Sequence, residues 1–111
     1  MAVPNGNSPH EYADWINHWI GVEVRVRREA RRSNAFALAK ACGVSDPAIR
    51  NIERGVCKNG ALVKTLARIV VCFDLSLPKL IRAAECRGKK AAQQRRKRYG
   101  DGPEVTQRIE F

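Results

Sequence analysis

Hydrophobic positions recur at helical spacing along most of the chain. Trp15, Trp19, Val22 and Val26 follow one another at intervals of four, three and four, with Ile16, Ile20 and Val24 as a parallel row. Ahead of them, Ser8, Pro9 and Glu11 stand in the order of a capping box with proline at the first helical position. The pattern predicts one long helix from Pro9 to about Arg32. Val22 to Arg27 also alternates as a strand would, and Gly21 marks a place for a kink. The helical stripe reaches beyond the alternating stretch on both sides and is preferred.

Two short helices are predicted next. Asn34 is a good N-cap for Ala35 to Ala41, a run of strong helix formers, and Gly43 can take the positive φ that ends such a helix. After Val44, Ser45 offers a second cap. Pro47 is tolerated because it falls in the first turn, where a missing N–H breaks no helical bond. Ile49 and Ile52 share one side, and Gly55 stops the helix. Residues 56–60 read as a loop. Ala61 to Phe73 predicts a strongly apolar helix, with Leu62, Leu66, Ile69 and Phe73 at four, three and four. Ser76 caps a last short helix from Leu77 to about Glu85. Gly100 to Pro103 breaks structure, and Val105, Gln107, Ile109 and Phe111 then alternate like a short terminal strand. The expected organisation is a flexible leader (1–8), an all-α domain (9–86) and a basic tail (87–111).

Charge turns this outline towards a polyanionic partner. The chain of 111 residues carries 21 Lys and Arg against 11 Asp and Glu, a net +10. Seven of those positive charges fall between Arg87 and Arg98 with no acid among them. So positive a surface attracts polyanions, nucleic acid first and anionic membrane second, and the uneven placement argues against incidental basicity. With aromatic residues at 6%, the core must be built mostly from Ala, Val, Leu and Ile.

Other chemistries find little support. Cys42, Cys57, Cys72 and Cys86 form no C-x-x-C pair; Cys42 and Cys72 sit in apolar helical patterns, as small hydrophobes in a reducing cytoplasm would. His10 and His18 fit no metal-ligand spacing, so no metal or other cofactor is expected. No nucleophile–base pair or paired carboxylates point to catalysis, and an enzyme is not expected. The longest purely apolar run, Ile69 to Phe73, is far too short for a bilayer, and the start of the chain has no signal-peptide pattern. The protein is expected to be cytoplasmic and soluble.

Two short helices joined by a glycine turn, the second capped by serine and closed by glycine, have the form of a helix-turn-helix over residues 34–55. Ile20 to Glu85 resembles the lambda-repressor/Cro-like (XRE) family of bacterial and phage regulators. The resemblance rests on Ile20-Gly21, Val24, Arg28-Glu29-Ala30-Arg31, Leu38-Ala39, Gly43-Val44-Ser45, Ile49, Ile52-Glu53-Arg54-Gly55, Thr65-Leu66, Ile69, Leu75-Ser76-Leu77 and Leu80-Ile81. It implies a five-helix domain, here with an N-terminally extended first helix, that binds an operator in double-stranded DNA as a homodimer. It makes Ala39 the small residue between the motif helices, Gly43 the turn, and Val44, Ile49 and Ile52 core. Asp46, Pro47 and Asn51, with Arg50 beside them, take the positions that face base edges. Ser45 and the residues after Gly55, Lys58 and Asn59 here, take positions that meet phosphate, and the charge of Arg54 suits the same role. The chain departs from the family at Ala35, where Gln is frequent, and at Arg27 and Ser33, where Leu is frequent. Phe36, or Trp15 with Trp19, is expected to fill the space left by those leucines.

The expected function is sequence-specific transcriptional regulation, with repression the simplest mechanism for so small a chain. The alternative is an antitoxin-like interaction module that binds DNA secondarily. Arg95, Arg96, Lys97 and Arg98 are expected to follow the DNA backbone as an arm. Val105 to Phe111 is the segment expected to meet a protein partner.

Overall fold

The computed structural model describes residues 8–57 and 59–99, with side chains as far as Arg95. The leader ahead of Ser8, the loop residue Lys58 and the terminal segment with Val105 to Phe111 lie outside the described residues, as do the side chains of Arg96, Lys97 and Arg98. The described residues form five helices and no strand: α1 (Pro9–Ala30), α2 (Ala35–Cys42), α3 (Asp46–Arg54), α4 (Val63–Cys72) and α5 (Leu77–Tyr99). The architecture is all-α.

Local chemistry sets most of the boundaries. Ser8 Oγ accepts from the Glu11 N–H, Asn34 Oδ1 from Ala37 and Ser45 Oγ from Ala48, so three helix starts carry the caps expected of them. Gly43 (φ 72°) and Gly55 (φ 68°) end α2 and α3 in the left-handed region that favours glycine. Val22 to Arg27 is helical, and α1 continues through Gly21. Helix α4 begins at Val63, two residues later than the apolar run suggests, and has no side-chain cap. The Ala61 N–H is turned instead to Asn17 Oδ1 on α1, at 3.3 Å.

The core lies where the five helices converge. Val24, Ile49, Ile69 and Leu80 are fully buried, joined by Ile20, Leu38, Ala39, Ile52, Leu66, Val70, Phe73 and Ala84. Helix α1 packs on α3 and α5, α2 on α3 and α4, and α4 on α5. Trp15 is buried at 2% exposure, whereas Phe36 does not enter the core: it is 60% exposed with the Lys40 ammonium over its ring. The buried side of α2 is already taken by Leu38, Ala39 and Cys42, which leaves Phe36 on the outer face.

The basic segment from residue 87 is not a separate tail over its described part. Helix α5 does not stop near Glu85 but runs on to Tyr99, carrying the backbone of Arg95 to Arg98 as helix. Gly88 makes this packing feasible: a Cβ there would stand 2.5 Å from Trp15 Cζ2 and 2.8 Å from Trp19 Cδ1. The indole N–H groups of both tryptophans are shut from solvent without a protein partner. Beside them the buried Glu23 accepts from Arg27 Nε and Arg87 Nε, each at 2.7 Å. Tyr12 adds a hydrogen bond to Glu85, which raises the phenol's pKa by favouring its protonated form, with burial second.

Glu23→Gln keeps the shape of this clamp and removes its charge. Arg27 and Arg87 are partly exposed and can rehydrate, so the expected loss is about 1–3 kcal/mol. The amides of α5 beyond Arg87 should then exchange faster than those of α4, measured by hydrogen exchange. Equal protection in variant and parent would show that the clamp does not hold the extension.

Candidate nucleic-acid interface

The motif is built from α2, a turn through Gly43 and Val44, and α3. Its inner side is apolar: Ala39 is 3% exposed, and Ile49 and Ile52 stand at 0% and 4%. Those contacts fix α3 against α2 and α1 and leave its other face open. Ser45, Pro47, Arg50 and Arg54 are exposed; Asp46 and Asn51 are half-buried. Pro47, without an N–H, and Ala48, capped by Ser45, leave the first turn short of free donors.

The polar groups on this face are held by neighbours on the same helix. Asp46 Oδ2 pairs with Arg50 Nη2 at 3.0 Å, four residues on. Its other oxygen, Oδ1, is shut from solvent without a hydrogen bond. Asn51 Oδ1 accepts from Arg54 Nη2 at 3.4 Å, a long bond that is readily given up. Pairs at i,i+4 and i,i+3 on a helix surface contribute at most about 0.5 kcal/mol, so either arginine can exchange its partner for a stronger acceptor. A phosphate or a guanine edge is such an acceptor.

A hollow of about 270 Å³ adjoins this face, lined by Arg25, Arg28, Ala35, Arg50, Glu53 and Arg54. Arg25 and Arg28 come from α1, so four guanidinium groups from two helices surround one space. Arg28 is committed: its Nε and Nη2 donate to the two oxygens of Glu53 at 2.7 and 3.0 Å, and its Nη1 to the Ser33 carbonyl at 2.7 Å. The hydrogen bond to the Glu53 carboxylate raises the Arg28 pKa above the usual guanidinium value, so this guanidinium stays protonated. Arg25 is exposed and pairs with Glu29 on its own helix at 3.1 Å. Its sequence neighbourhood shows only that it precedes Arg28 by three residues and so shares a helical face with it; that this face meets α3 is not visible there.

Asn59 is exposed in the loop after α3, and Gly60 in the same loop has a φ of 78°. Arg95 is exposed on α5, a helix that packs mainly against α1 and α4. The structure therefore gathers Ser45, Asp46, Pro47, Arg50, Asn51 and Arg54 on one helix and adds Arg25. It places Arg95 on another element. Among the described residues no three His, Cys, Asp or Glu side chains come together as a metal site. No described helix is long and apolar enough to cross a membrane.

These features define an all-α helix-turn-helix fold. The chain is similar in fold to the clp gene regulator ClgR from Corynebacterium glutamicum, whose crystal structure matches it with a TM-score of 0.60 at 17% sequence identity. The match covers 78% of this chain and 96% of that one. No protein-family model matches the sequence. No curated protein matches it either.

Proposed function

We propose that the protein is a transcriptional regulator of the lambda-repressor/Cro-like type, which binds an operator in double-stranded DNA as a homodimer and represses by occupying it. The observation that carries this reading is the two-sidedness of α3. Ile49 and Ile52 anchor one side in the core, while Pro47, Arg50 and Arg54 stand exposed on the other with Asn51 beside them. A helix held in that way can enter the major groove, where each base pair shows a distinct pattern of donors and acceptors. The fold shared with a protein described as a gene regulator supports the same reading.

In this proposal Asn51 releases Arg54 and pairs with adenine through both amide atoms. Arg50, held forward by Asp46, reaches guanine or a phosphate, and Asp46 can instead accept from a cytosine amino group. Pro47 makes apolar contact with a base edge. Ser45, Arg54, Lys58 and Asn59 meet the flanking backbone, and the four-arginine hollow receives a phosphate oxygen. Arg95 to Arg98 add salt-sensitive attraction without sequence preference. The protein works by binding and carries out no chemistry of its own. Two copies would place their reading helices about one DNA turn apart, roughly 34–36 Å.

Selection of bound duplexes from a random pool tests the reading. The parent protein should enrich one motif with two related half-sites. Asn51→Ala should lose preference at one or two base pairs in each half-site, a discrimination of about 1–3 kcal/mol. An unchanged motif would remove Asn51 from the reading set. No enriched motif with the parent protein would end the proposal of sequence-specific binding.

A further inference from the structure

Two cysteines from different helices meet at the junction of α2 and α4. Cys42 is the last residue of α2 and Cys72 the last of α4. Their sulfur atoms are 3.1 Å apart. A disulfide bond needs about 1 Å of further approach. Arg68 of α4 also reaches the Gly43 carbonyl at 3.1 Å, which fixes the end of α2 beside α4 independently of the thiols. Neither Cys57, half-buried in the loop, nor the exposed Cys86 lies within hydrogen-bond reach of another thiol among the described residues.

We propose that Cys42 and Cys72 form a modification site, at which two-electron oxidation by a hydroperoxide creates a disulfide that staples α2 to α4. The two thiols have different tasks. Cys42 is 9% exposed, and burial, then its hydrogen bond with Cys72, pushes its thiol up to about 12, so it stays protonated near neutrality. Cys72 is half-buried, the less enclosed of the two residues, and in this proposal is the one that meets the oxidant. Its thiolate attacks a peroxide oxygen, the O–O bond breaks, and the departing oxygen takes up a proton. The Cys72 sulfenic acid that results faces Cys42. The Cys42 sulfur then attacks the sulfenyl sulfur, the S–O bond breaks, and the hydroxide leaves with the Cys42 proton as water. Two thiols and one hydroperoxide thus give one disulfide, one water and one alcohol, or a second water when the oxidant is hydrogen peroxide.

The closed loop would contain the Gly43 turn, all of α3, the loop that follows it and α4 as far as Val71. Oxidation would therefore stabilise the part of the fold that carries the exposed polar face, mainly by restricting the unfolded chain.

The full chain carrying Cys57→Ser and Cys86→Ser, so that Cys42 and Cys72 alone remain, is treated with hydrogen peroxide under native conditions. The expected product has lost two hydrogen atoms, and peptide mapping without reductant joins the segments that hold Cys42 and Cys72. Dithiothreitol should reverse it, and the oxidised form should melt higher by on the order of 10 °C. Added Cys42→Ser or Cys42→Ala should prevent the link and leave Cys72 to gain oxygen atoms instead. Gain of oxygen at Cys72 with Cys42 present and no link, no reaction at either sulfur, or a lower melting temperature after linkage would each overturn the proposal. None of these readouts involves DNA, so their outcome is separate from that of the binding reading above.

Discussion

Gly21→Ala is expected to come close to unfolding the protein. Helix propensity alone predicts the opposite, since alanine in a helix interior is favoured over glycine by about 0.8–1.0 kcal/mol. At this position, however, a Cβ would overlap the Ile52 carbonyl oxygen and stand 3.1 Å from that of Glu53. Both obstacles are backbone of α3, which cannot turn aside as a flexible side chain would. Helix α1 would have to withdraw from α3, opening the contacts around Val24, Ile49 and Ile52, all at or below 4% exposure. A loss of about 3–5 kcal/mol is expected, a large part of the stability of a domain this size. Gly43→Ala is the control. It has open space around a Cβ and strains only its φ of 72°, so about 1–2 kcal/mol is expected. Urea denaturation followed by circular dichroism measures both. A Gly21→Ala protein as stable as the parent would mean that α3 does not rest on α1 in this way.

That contrast also marks what the sequence could and could not convey. The starts of α1, α2 and α3 were legible because Ser8, Asn34 and Ser45 act within three residues of themselves. The ends of α2 and α3 were legible because glycine is the residue suited to their left-handed closing position. The exposed face of α3 followed from the same local pattern, with Ile49 and Ile52 defining its inner side. The extension of α5 was not legible. Past Cys86 its residues carry no long apolar stripe, and what holds them is a glycine under two tryptophans and an ion pair to Glu23, 64 positions away in the chain. Gly88 read alone suggests a break, and only the neighbouring α1 turns it into a point of close packing. Gly21 likewise suggested a kink until α3 lay across it. Phe36 was one candidate for the space left where the family has leucines at positions 27 and 33, but the inward side of α2 was already filled. The share of Arg25 in the four-arginine hollow depends on where the end of α1 meets α3, which no local pattern specifies.

The orientation of α3 rests on a second contact, and its removal should have a comparably large effect. The Arg28 guanidinium and the Glu53 carboxylate are 14% and 8% exposed as side chains, and they join through two hydrogen bonds. Arg28→Ala would leave the Glu53 carboxylate enclosed without its partner and the Ser33 carbonyl without its donor. Loss of one member of such a pair is expected to cost about 3–5 kcal/mol. The attraction between the two charges is largely offset by the water each gave up, so replacing both is expected to behave differently. Arg28→Met with Glu53→Met should recover most of the loss, giving a strong coupling in a double-mutant cycle measured by urea denaturation. Additive losses would show that the two charges are independently solvated. DNA binding offers a second readout of the same cycle. Neither side chain needs to touch a base, yet together they tie the last turn of α3 to α1 and to the chain just before α2. If the proposed reading of α3 is correct, the folded double variant should retain the operator motif but bind it less tightly, because a helix freed at one end spends less time in the geometry that brings Arg50 and Asn51 to the bases.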